Sequence, residues 1–127
     1  MPSKKLENFS RRNPQVAPYV QKLADYIRWL SEQGIEELVP RVAAVQLSIS
    51  EADTLGLLSV FQDAGLVEPR YQLVCKPTGS VLGSYRSLKE IPDEIECNVC
   101  GKKHDAEDLR VDLVFKITQG RAADAAA

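Results

Sequence analysis

The chain holds three cysteines and one histidine, all within one window. Cys75-Lys76-Pro77-Thr78-Gly79 is followed by Cys97-Asn98-Val99-Cys100-Gly101, and His104 lies just beyond. A C-x-x-C-G turn presents two sulfurs on one side, and its glycine accepts the positive φ that follows. Three thiolates and an imidazole complete a tetrahedral zinc shell. Cys97 and Cys100 therefore form a half-site, and Cys75, at the end of a strand and before a glycine turn, is placed as a third ligand. The first copy carries Thr78 where a second cysteine would stand, and a threonine hydroxyl is a poor zinc ligand. Two readings stay open. Either His104 supplies the fourth ligand to a structural Zn2+, or the metal is lost and the fold persists on a small apolar core.

Other chemistry fits less well. A redox C-x-x-C sits at a helix start after a buried strand, and nothing around Cys97 reads that way. Catalytic zinc needs an open coordination position and a group to activate water. With no second histidine and no H-x-E spacing, neither is in evidence. No nucleophile–base pair or phosphate loop is found, so the expectation is a protein that is not an enzyme, with no small-molecule substrate.

These ligands must be held by strands. Tyr71–Cys75, Ser80–Arg86, Glu94–Cys97 and Leu109–Ile117 read as four, the last alternating Val111, Leu113, Phe115 and Ile117. Before Pro69 the texture is helical. Val16, Val20, Leu23, Ile27 and Leu30 recur at three- and four-residue steps, and Gly34 stops that helix. Pro40 suits a first helical position, so a short helix is expected over 40–46, then a turn at 47–49. Ser50 caps a further helix, with Asp53 at the third position and Leu55, Leu58, Phe61 and Ala64 facing inward. Gly65 ends it as a left-handed residue.

A short helix, a turn, a longer helix ending in AGLVE and a strand resemble a winged helix-turn-helix. That resemblance implies that the helix over 51–64 is the recognition helix and that Tyr71–Cys75 begins the wing. The strand–knuckle–strand layout after it is similar to a zinc ribbon. The expected fold class is α+β, a winged helix followed by a small zinc-ribbon-like antiparallel β unit. The divisions are 1–14 as a flexible arm, 15–75 as the winged helix, 71–118 as the β unit sharing the wing strand, and 119–127 as a disordered tail. In domain order and knuckle type this is similar to the large subunit of general transcription factor E. It also resembles small accessory components of bacterial multi-protein operons, including defence systems.

Charge sets the choice of partner. The net charge is −2, with 16 basic and 18 acidic residues among 127, whereas a nucleic-acid domain usually carries a basic excess. Between Arg41 and Arg70 there is no Lys or Arg, so the expected recognition helix offers Glu51, Asp53 and Asp63 to a phosphate backbone. A DNA-binding regulator would have to use Arg11, Arg12, Arg70, Arg86, Lys102 and Lys103. The favoured reading is an adaptor or regulatory subunit contacting another protein through Tyr26, Trp29, Leu57 and Val60. The start, Met-Pro-Ser-Lys-Lys, has no apolar secretory core, and no apolar run would span a bilayer. With few cysteines in an odd number, a reducing cytoplasm and no membrane partner are expected.

Overall fold

A computed structural model of the chain describes residues 4–92, 95–97, 102–104 and 109–118, with side chains for 4–92 and 109–118. The described residues form an α+β fold with four α-helices: α1 (Lys4–Arg12), α2 (Ala17–Glu32), α3 (Pro40–Leu47) and α4 (Glu51–Asp63). The strands are β1 (Glu37–Leu38), β2 (Val67–Cys75), β3 (Val81–Tyr85), β4 (Ile95–Cys97), β5 (Lys102–His104) and β6 (Leu109–Ile117). One antiparallel sheet has the order β1-β6-β2-β3, and β4 and β5 form a separate pair.

The contacts divide the chain into two compact units. The first runs to Glu68 and resumes at Phe115, and the second spans Pro69–Val114.

In the first unit, local signals shape each helix. Pro18 and Pro40 sit in the first turns of α2 and α3, where their missing N–H costs no hydrogen bond. The Ser50 hydroxyl accepts the Asp53 N–H at 3.0 Å and caps α4. Two helices close with Schellman pairs. Ile35 N–H reaches the Leu30 carbonyl at 2.9 Å around Gly34, and Leu66 N–H reaches the Phe61 carbonyl at 3.0 Å around Gly65. Both glycines take the left-handed φ those closures require, 76° and 77°.

The core follows from the faces so set. Val20, Leu23, Ile27 and Leu30 of α2 are buried, as the periodicity predicts. Ala43, Ala44 and Leu47 of α3 and Leu58 and Phe61 of α4 join them. β1 pairs with β6 in antiparallel register, Glu37 opposite Lys116 and Leu38 opposite Phe115. Leu38, Phe115 and Ile117 are buried there.

Three expectations are corrected. The stretch read as a flexible arm is helix α1, whose Leu6 is buried while the Lys5 ammonium donates to the Asp63 carbonyl at 2.9 Å. Burying one leucine contributes about 1.5–3 kcal/mol, which anchors a short helix that would not hold alone in water. The inward face of α4 is Thr54, Leu57, Leu58 and Phe61, not the stripe through Leu55 and Ala64. Thr54 tolerates burial because its hydroxyl donates to the Ser50 carbonyl at 2.9 Å. Leu109–Ile117, read as the last strand of the β unit, forms β6, and its final residues pair with β1 in the first unit. By contacts the units divide at Pro69 and Val114. The tail 119–127 lies outside the described residues.

In the second unit β2 pairs with β3, Tyr71 opposite Tyr85, with a register shift between Leu73 and Val74. β4 pairs with β5, Cys97 opposite Lys102 and Ile95 opposite His104. No helix among the described residues is long and apolar enough to cross a membrane.

Candidate metal half-site and contact surface

Cys75 is the last residue of β2 and is fully buried. Its N–H donates to the Ser80 carbonyl at 2.9 Å, and its carbonyl accepts the Gly79 N–H at 2.7 Å. Gly79 has φ 73°, the left-handed value this tight return needs. Thr78, in the position of the missing cysteine, does another job. Its hydroxyl donates to the Ser80 hydroxyl at 3.1 Å and accepts the Ser80 N–H at 3.3 Å, stapling the turn.

Cys97 ends β4, and Lys102 opposite it begins β5, so the C-x-x-C-G segment connects two paired strands. Cys100 lies outside the described residues, as do the side chains of Cys97, His104, Lys102 and Lys103. No group of three or more His, Cys, Asp or Glu converges among the described residues. All four residues of the proposed shell fall between Pro69 and Val114 in the chain, hence in the second unit. A metal held by them would close that unit on itself.

The residues expected to contact a partner separate into two groups. Trp29 is 51% exposed on α2 and stacks on Tyr26, with ring centroids 6.2 Å apart and planes 15° from parallel. Burial raises the Tyr26 phenol pKa above its usual value of 10.0, because the phenolate loses solvation. Leu57, expected to face outward, is only 7% exposed. It belongs with Val60 to the wall of a cleft of about 510 Å³ in the first unit. Ala52, Asp53 and Gly56 of α4 form the rest of that wall, Phe9 of α1 and Tyr19 of α2 line it too, and Val16 and Ile49 complete it.

Three exposed valines on and before α3 escaped the sequence reading: Val39, Val42 and Val45, the last 72% exposed. Their three-residue spacing was a usable signal, since it places them on one side of a helix whose other side carries Ala43, Ala44 and Leu47. Gly56 was also missed. A glycine inside a capped helix is itself a signal, because it weakens the helix.

The cations a DNA-binding mode would use come from both units. Arg11 and Arg12 are exposed on α1 in the first unit, whereas Arg70, Arg86, Lys102 and Lys103 belong to the second. Arg70 donates to the Pro69 carbonyl at 3.1 Å, and the Arg86 N–H donates to the Glu90 carboxylate at 3.2 Å.

No protein family, curated protein or solved structure matches this chain.

Proposed function

We propose that this chain is a non-enzymatic adaptor or regulatory subunit of a cytosolic complex, a winged helix used for protein contact with a structural zinc clasp in its second unit. The α3–turn–α4 pair followed by β2 supports the winged-helix part. The C-x-x-C-G segment between β4 and β5, with a buried Cys75 elsewhere in the same unit, supports the clasp.

One observation carries the choice of a protein partner. The outward face of α4, the helix that would enter a DNA groove, exposes Glu51, Asp53, Ser59, Gln62 and Asp63. Phosphates repel the three carboxylates, and without Lys or Arg there is no counterion release to drive binding. Exposed apolar groups lie on α2 and α3 instead, led by the Trp29–Tyr26 stack. A half-exposed tryptophan is the residue type that most often dominates protein interfaces.

The test is association. Tagged protein purified from its own cells should bring down a partner in stoichiometric amount. Trp29→Ala together with Val45→Glu should release that partner without lowering the melting temperature. A chain that purifies alone and retards duplex DNA, with a steep salt dependence abolished by Arg70→Ala and Arg86→Ala, is instead a winged-helix transcription regulator.

A further inference from the structure

The cleft in the first unit is lined by a glycine that the fold does not explain. Gly56 sits inside α4, and glycine is the poorest helix former after proline. A Cβ built at Gly56 would meet no atom within 4 Å, and its φ is not left-handed. Neither packing nor backbone conformation excludes a larger residue there. Gly56 and Ala52, one helical turn apart and both exposed, line the cleft. Glycine is used elsewhere where another chain or ligand approaches the backbone closely.

The remaining wall states what approaches. Leu57, Val60, Phe9 and Tyr19 make it apolar. Asp53 is its one charged lining residue, and among the described residues its carboxylate has no hydrogen-bond or ion-pair partner. Glu51, in the same first turn, is exposed and likewise without a partner. The cations of α1 are exposed, and none of them lines the cleft. The volume, about 510 Å³, falls in the range of cavities that take a substantial apolar group.

We infer that this cleft is the docking groove for an amphipathic helix of the partner protein, which lays an apolar side chain over Gly56 and sets a Lys or Arg against Asp53 and Glu51. The inference rests on the adaptor reading and names the surface and the chemistry of the partner. Small residues let helices approach backbone to backbone, and i, i+3, i+4 anchors in a groove are a recurrent mode of recognition. The unpaired carboxylates select the charge of the occupant.

The probe is a fluorescein-labelled model helix of leucine and lysine, with a leucine–glutamate helix of the same pattern as its control. Polarisation should report binding of the leucine–lysine helix only, and amide shifts in labelled protein should concentrate at Ala52, Asp53, Gly56 and Tyr19. Gly56→Leu should weaken binding by about tenfold or more, and Asp53→Asn by about twofold to fivefold, with circular dichroism unchanged in both. Equal binding of the glutamate helix, or binding indifferent to Gly56→Leu, overturns the proposal. So does a chain that sediments as a dimer and becomes monomeric in Gly56→Leu, because the occupant is then a second copy. If Trp29→Ala with Val45→Glu releases the cellular partner while Gly56→Leu leaves it bound, the adaptor reading stands and the groove is not its contact.

Discussion

Leu38 lies directly opposite Phe115 in the β1–β6 pair, and both side chains are buried. β1 is only two residues long, so this short pairing depends on its partner strand and on the helices around it. The Glu36 carbonyl accepts the Ile117 N–H at 2.7 Å, and the Leu66 carbonyl accepts the Thr118 N–H at 3.0 Å. The Thr118 hydroxyl adds a bond to the Gly65 carbonyl at 2.7 Å. Residues 115–118 therefore complete the helical unit.

Phe115→Ala removes a 4%-exposed ring from this closure. It should cost about 3–5 kcal/mol, since a core relaxes only partly around a lost ring. Urea denaturation followed by far-UV circular dichroism checks it. An unchanged midpoint would mean that β6 does not contribute to the core of the first unit.

Two glycines of the same helix region should respond in opposite senses. Gly65→Ala forces a Cβ into φ 77° and should destabilise by about 1 kcal/mol. Gly56→Ala, with helical backbone and open space, should stabilise by a similar amount, about 0.8–1 kcal/mol. Thermal melts of the two variants side by side are the measurement.

The zinc proposal is tested by metal content. Protein purified without chelator should carry stoichiometric zinc, and Cys97→Ser should lose it with little change to the helical signal, because the proposed ligands all fall in the second unit. Thr78→Cys should not raise the zinc content above that of the parent if His104 already completes the shell. Added metal in that variant would point to a shell that is incomplete.

Tyr26 gives a pH test. Its pKa is raised in the folded state by burial. The folded protein thus holds the phenolic proton more tightly than the unfolded chain. Stability from this group is full below the unfolded value near 10 and is lost as pH rises through the higher folded value. Tyr26→Phe should flatten that alkaline loss in melts taken above about pH 10.

The helices of the first unit were legible because their signals are local. Ser50, Pro40, Gly34 and Gly65 stand at the boundaries where capping chemistry puts them, and the α2 stripe is clean. The face of α4 was misread because apolar residues surround it. Leu55, Leu57, Leu58, Val60 and Phe61 permit two stripes, and only the tertiary neighbours choose between them. α1 was missed because its apolar residues, Leu6 and Phe9, make too short a repeat to stand out from a charged segment. β1 carries no strand pattern at all. It exists because β6 returns to it, and that pairing is remote in sequence. The candidate site was legible in its ligand types and not in its grouping. Cys75 is remote in sequence from Cys97, and spacing alone does not say whether the two side chains meet.

The return of β6 to β1 also imposes an order on synthesis. Leu38 leaves the ribosome early, but it cannot meet Phe115 until the whole span Pro69–Val114 has been translated. Loop closure over that distance is slow compared with forming a hairpin between neighbouring strands. The helical unit is therefore closed last, by residues made only after all of the second unit.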